Sequence, residues 1–190
     1  AQQNAWKEIT HFRLALLLGP PGTGKTFVLS WMILGYMVAC MEYNQLRETS
    51  DKKTCRVLVS AFTKTAIENV LRDILEKLEN FPELEDVTIA FQEKTERLSS
   101  RVLQKGKKAM FSFLDDDFVI LAATSWTFLK SLEKGWIPNS NFHAEVFDFV
   151  CFDEASQMRL RTSAISMSLA KEDARILFVG DNKQLPPVGE

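Results

Sequence analysis

Cysteine, histidine, glycine and proline are all scarce in this 190-residue chain, and each shortage removes a class of protein. Cys40, Cys55 and Cys151 are odd in number and widely separated, which fits neither a disulfide framework nor a zinc ligand set. The expectation is therefore a reducing, intracellular compartment: cytoplasm, nucleoid or nucleus. His11 and His143 have no acidic or cysteine partners at ligand spacing, so neither is assigned a catalytic or metal role. With eight glycines and six prolines, collagen-like and low-complexity chains are excluded. Charge of one sign is missing too: 23 Lys and Arg stand against 25 Asp and Glu, so nucleic acid would need a local patch rather than a protein-wide field. The longest apolar stretch, Phe27 to Met41, covers 15 residues and contains Ser30 and Gly35. That is short of the ~20 a bilayer requires, so it reads as a buried helix and no membrane partner is expected. The N-terminus carries no secretory signal pattern.

What is present is 46% hydrophobic, enough for a single domain with its own core. Six short apolar runs read as strands: Leu14 to Leu18, Arg56 to Ser60, Val87 to Phe91, Phe118 to Ala123, Phe147 to Phe152 and Arg175 to Val179. Most are apolar at consecutive positions, as in strands covered on both faces of a parallel sheet. Helical patterns separate them. The clearest runs from Lys64 to Glu79, with Ile67, Val70, Leu71, Ile74, Leu75 and Leu78 on one stripe. This alternation predicts a three-layer α/β fold, a parallel sheet with helices on both faces. Glu93 to Asp117 is a mixed-charge segment whose Lys94, Arg97, Arg101, Lys105, Lys107 and Lys108 read as a solvated helix, with a basic face as the rival reading. Lys134 to Glu145 is a turn-rich loop. The closing Pro186, Pro187, Val188, Gly189 and Glu190 carry no terminal element, as expected of a piece cut from a longer protein.

Directly after the first run stands Gly19-Pro20-Pro21-Gly22-Thr23-Gly24-Lys25-Thr26, a GxxxxGK[ST] sequence in the strand-loop-helix setting that motif requires. Gly22, Thr23 and Gly24 offer backbone N–H groups to phosphates, Lys25 offers charge to the β- and γ-phosphates, and the Thr26 hydroxyl suits Mg²⁺. The competing reading is a tight turn before a core helix. Asp153 and Glu154 follow the fifth run, at a strand C-terminus, where open α/β sheets bind ligands. Asp153 suits the Mg²⁺ shell and Glu154 suits a general base for an attacking water. That pair weakens a small-molecule phosphotransferase, which must keep water away from the γ-phosphate. Gln184 follows the last run and has an amide that can contact both a γ-phosphate oxygen and water, or else simply polar turn neighbours.

GPPGTGKT at 19 to 26, DEASQ at 153 to 157 and GDNKQLPP at 180 to 187 resemble, in that order, motifs I, II and III of superfamily 1 helicases. The likeness is to the 5′-to-3′ branch that holds the nonsense-mediated-decay helicases and the Okazaki-flap helicase-nucleases, and it spans nearly the whole chain. SAFTKTA at 60 to 66 is similar to motif Ia, and Ala123-Thr124-Ser125 to motif Ic. The resemblance implies a first RecA-like, P-loop NTPase domain that uses ATP and Mg²⁺. It implies contacts of Thr63, Lys64, Thr124 and Ser125 with single-stranded DNA or RNA. Helix capping is the competing role for Thr63 and Ser125. It also implies that Gln2 reads adenine, although a surface glutamine has the same letter. Nothing matches motifs IV to VI, so a second RecA-like domain with its arginines is expected elsewhere in the parent chain, and slow turnover is expected of this piece alone. An ATP-binding nucleic-acid module without productive hydrolysis is the alternative. Trp126, Phe128, Trp136 and Phe142 read as core aromatics rather than base-stacking platforms.

Overall fold

The computed structural model describes residues 11–47, 52–104, 116–134, 145–181 and 183–184. Gln2, Lys105, Lys107, Lys108, Trp136, Phe142, His143 and the terminal prolines lie outside the described residues. Seven strands form one sheet: β1 (Leu14–Leu18), β2 (Cys55–Ala61), β3 (Thr88–Phe91), β4 (Leu103–Gln104), β5 (Phe118–Ala122), β6 (Phe147–Asp153) and β7 (Ala170–Gly180). Their order is β1-β7-β6-β2-β5-β3-β4, with every described neighbour parallel. The helices are α1 (Lys25–Gln45), α2 (Lys64–Leu78), α3 (Ser125–Glu133) and α4 (Leu160–Met167).

Strand residues alternate between two separate cores, because successive side chains of a strand point to opposite faces. Val57, Val59, Ile120, Ala122, Phe149, Cys151, Leu177 and Val179 pack with residues of α1 and α2. Leu58, Val119, Leu121, Val150 and Phe152 pack on the opposite face with Phe128 of α3 and Met158. Both cores are continuous, so the strands read as apolar throughout. In α2, Ile67, Val70, Leu71 and Ile74 are fully buried, each contributing about 1.5–3 kcal/mol. Helix α1 is 21 residues, longer than the apolar stretch, and long and apolar enough by composition to cross a bilayer. Here Leu29, Ile33, Leu34 and Met37 pack into the sheet core instead.

Three departures from the sequence reading have physical causes. Strand β7 begins at Ala170, five residues before its apolar run, because Lys171 is anchored to Asp148 of β6 and to Thr54. The register slips between Phe147 and Phe149 at that point. The two-residue β4 adds a seventh strand where a solvated helix was expected. Leu98 and Val102 are buried, Arg97 pairs with Glu68, and Arg101 donates to the carbonyls of Glu85 and Val87. Arg101 thus braces backbone carbonyls, while Arg97 reaches a buried acid with its side chain 64% exposed. Trp126 is also a correction: it is 51% exposed, whereas Phe128 two residues on is fully buried as expected.

Candidate functional site

Strands β1, β7, β6 and β2 are consecutive in the sheet. At about 4.8 Å per strand their C-terminal ends form one rim. The loop after β1 is tied to the end of β7 by Gly19 N–H donating to the Gly180 carbonyl at 3.2 Å. Gly22 and Gly24 have φ of 76° and 79°, a region that strains any residue with a Cβ. Gly24 also caps α1, and its carbonyl accepts from Val28 N–H at 3.0 Å. The loop therefore sits at the positive end of a 21-residue helix. Lys25 Nζ donates to the carbonyls of Gly19 at 2.6 Å and Pro20 at 2.9 Å, and Thr23 Oγ1 donates to Pro20 at 2.8 Å, which closes the loop on itself.

Asp153 ends β6 and is 5% exposed. Its two oxygens accept from Glu154 N–H at 2.9 Å and from Thr26 Oγ1 at 3.2 Å. Burial raises its pKa above the ordinary carboxylate value, opposed by those two hydrogen bonds and the nearby Lys25 charge. A buried acid with a hydroxyl beside it is a hard-oxygen pair that fits Mg²⁺, whose shell is otherwise filled by phosphate and water. Among the described residues no group of three or more His, Cys, Asp or Glu could hold a metal ion.

Glu154 is the only non-glycine with positive φ among the described residues, at φ 51° and ψ 36°. Such strain persists only where surrounding contacts impose it, and it concentrates at functional positions. One contact is a hydrogen bond of 3.3 Å donated by Thr63 Oγ1 to Glu154 Oε2. Gln184 is exposed and reaches the same rim through its carbonyl, which accepts from Ser156 Oγ at 3.4 Å and Gln157 Nε2 at 3.3 Å.

The motif Ia and Ic residues sit at the ends of β2 and β5. Thr63 caps α2 by accepting from Ala66 N–H at 3.1 Å. Lys64 Nζ donates to the Lys94 carbonyl at 2.6 Å and lies 3.7 Å from Glu93. Thr124 and Ser125 are at the rim, but their hydroxyls turn inward: Thr124 to Thr127 at 2.8 Å, and Ser125 to Ser60 at 3.2 Å and Ser166 at 3.3 Å. At 8% and 3% exposure these two side chains are buried, and it is their neighbours that stand open to solvent. The neighbours are aromatic and open: Phe62 is 46% and Trp126 51% exposed. Sequence reasoning passed over Phe62 and assigned Trp126 to the core, because an apolar letter beside a strand carries no mark of which side it faces. A cavity of about 670 Å³ at the far end of α2, lined by Arg72, Leu75, Leu78, Phe81 and Leu98 among others, shares no residue with this rim.

A family model described as an AAA domain matches residues 2–190. The chain is 25% identical over 186 residues to the DNA replication ATP-dependent helicase/nuclease dna2 of Schizosaccharomyces pombe, covering 92% of this chain and 11% of that protein. It is 26% identical over 175 residues to the RecBCD enzyme subunit RecD of Buchnera aphidicola subsp. Schizaphis graminum, covering 92% of this chain and 23% of the relative. It thus spans about a tenth to a quarter of the curated relatives. In fold it resembles a nuclease-deletion mutant of the Type ISP restriction-modification enzyme LlaGI in complex with a DNA substrate mimic (TM-score 0.59, 19% identity, 100% of this chain and 18% of that one). It also resembles the UvsW helicase of bacteriophage T4 (TM-score 0.57, 15% identity, 94% of this chain and 51% of that one). The parallel sheet flanked by helices is that of a RecA-like domain. Matched over nearly its whole length, the chain belongs to the AAA domain family.

Proposed function

We propose that this chain is the first of two RecA-like domains of a helicase that couples Mg²⁺-dependent ATP hydrolysis to movement along single-stranded DNA or RNA and to unwinding. One observation carries the reading: the GxxxxGK[ST] loop, the Thr26–Asp153 bond, Glu154 and Gln184 stand on three adjacent strand ends, those of β1, β7 and β6. Bound ATP·Mg²⁺ supplies the phosphoanhydride to be cleaved and a cation that neutralises charge on it. The chain's own groups do the rest. Backbone N–H groups of Gly22, Thr23 and Gly24 bind phosphate oxygens, and Lys25 adds a positive charge. Thr26 and Asp153 hold the cation. Glu154 takes the proton of an attacking water. Gln184, linked to Ser156 and Gln157, reports the state of the site to the loop beyond β7. The exposed Phe62 and Trp126 flank Thr63 and the end of β5, where they can stack on bases without reading sequence.

The test is ATP turnover of the full-length protein with single-stranded DNA, single-stranded RNA or neither. Strand-stimulated phosphate release is the expected result. Its absence with both strands would favour an ATP-binding module without productive hydrolysis, and phosphate arriving on an added acceptor would favour a phosphotransferase.

A further inference from the structure

Near its C-terminal end, helix α1 carries Tyr36, Cys40 and Asn44 one turn apart on a single stripe, and that stripe meets the entry to β2. Asn44 is the anchor: its amide donates to the Lys53 carbonyl at 2.8 Å, and its own carbonyl accepts from Lys53 N–H at 2.9 Å. Two residues on, Cys55 opens β2 and is fixed from the neighbouring strand, its N–H donating to the Asp117 carbonyl at 2.7 Å. The helix end and the strand start are thus held in register with Cys40 beside Cys55, and the two thiols hydrogen-bond to each other. Cys40 also accepts from the Tyr36 hydroxyl. We propose that Cys40 and Cys55 form a redox modification site, which a low-molecular-weight disulfide oxidises to a reversible bond fastening the end of α1 to the start of β2.

The two thiols are unlike, and the difference assigns their roles. Cys40 is partly exposed, whereas Cys55 is fully buried. The hydrogen bond donated by Cys55, helped by Tyr36 and the Lys171 charge, holds the Cys40 thiol below its ordinary range, against the opposing effects of burial and Asp148. The same hydrogen bond, together with burial, pushes the Cys55 thiol up. Cys40 is therefore the thiolate that meets the reagent, and Cys55 is the thiol that resolves the product. Cys40 Sγ attacks one sulfur of the small disulfide, whose S–S bond breaks and expels a thiolate. Cys55 then gives up its proton and attacks Cys40 Sγ, the mixed S–S bond breaks, and the second thiolate leaves. The protein loses two electrons and two protons, and the oxidant departs as two thiols. At 1.5 Å of rise per residue, Cys40 stands about 22 Å along α1 from Lys25, so the bond forms away from the phosphate loop.

The test treats the folded full-length protein with oxidised glutathione, blocks the remaining thiols with an alkylating agent and maps tryptic peptides by mass spectrometry. In wild type, peptides 26–47 and 54–56 should appear joined, two hydrogens lighter than their sum, and should separate after dithiothreitol. Cys55→Ala removes the resolving thiol, so glutathione should accumulate on Cys40. Cys40→Ala should leave Cys55 unmodified, as the fully buried Cys151 is in all three proteins. Hydrogen exchange then reads the fastening: amides 41–45 should exchange at least about tenfold more slowly in oxidised than in reduced wild type, with no such change in Cys55→Ala. Unjoined peptides in wild type, or glutathione on Cys55 in Cys40→Ala, overturn the proposal, and the wild-type map decides it even where a variant fails to fold. Joined peptides with unaltered exchange overturn the fastening.

Discussion

The two rims of the sheet carry acids on the same strand, β6, in opposite circumstances. At the N-terminal rim Asp148 is satisfied: Lys171 Nζ sits 2.5 Å from its Oδ1, and Arg56 N–H donates to its Oδ2 at 2.9 Å. At the C-terminal rim Asp153 has only hydrogen bonds from neutral groups, at 2.9 and 3.2 Å, and burial penalises its charge. Five residues apart on one strand, one carboxylate is paired with a lysine of the fold and the other is the one the proposed function gives to Mg²⁺. Polar groups that stabilise are matched to a partner within the chain; polar groups that act are left short of one.

The largest effect should come from the active rim. Glu154→Gln, which removes the proposed base while keeping its shape, should lower strand-stimulated ATP turnover of the full-length protein by about 10²-fold or more while ATP binding persists. Wild-type turnover would erase the distinction between the rims. Next in size, Lys25→Ala removes the ammonium from the phosphate loop and should weaken ATP binding by at least about tenfold, read by calorimetry. Unchanged affinity would make the loop a mere turn.

On the structural rim the same kind of deletion should leave nucleotide binding alone. Asp148→Ala strands Lys171 and the Arg56 N–H and should cost about 1–3 kcal/mol, seen as a lower Tm with unaltered ATP affinity. The smallest effect has the opposite sign. Because burial lifts the Asp153 pKa above its unfolded value, ionisation of this group costs the folded state stability. That cost is absent below the unfolded pKa, about 4, and sets in as pH rises through the folded value. Asp153→Asn can keep both hydrogen bonds, so it should raise the ligand-free Tm by a few degrees at pH 7, with the gain shrinking toward pH 4, while hydrolysis is lost. A lower Tm at pH 7 would show that Asp153 is a structural acid like Asp148.

Much of the fold was legible because its strands are buried on both sides. Leu58 and Val59 face different cores, yet both must be apolar, and the run shows in the letters. Helix α2 was equally plain from its single stripe. The N-terminal stretch of β7 was not, since Lys171, Glu172 and Asp173 are charged and the strand is held there by a side-chain pair from β6. The loop at 19–26 and the acids at 153 and 154 were readable from local spacing. The inward turn of the Ser125 hydroxyl was not, because its partners Ser60 and Ser166 lie 65 and 41 residues away.

By itself the sequence determined a phosphate-binding loop before a helix, acids after a buried strand and an alternating α/β chain, all consequences of spacing within a few residues. Only the tertiary structure decided that β1, β7, β6 and β2 lie side by side, that Thr63 meets Glu154, and that Trp126 faces solvent while Phe128 fills the core. Strand order and side-chain pairing join residues as far as 163 positions apart, as Arg175 and Phe12 are, with Thr26 and Asp153 separated by 127. Such contacts form only once two faces of apolar side chains have been buried, a collective outcome that no local pattern encodes.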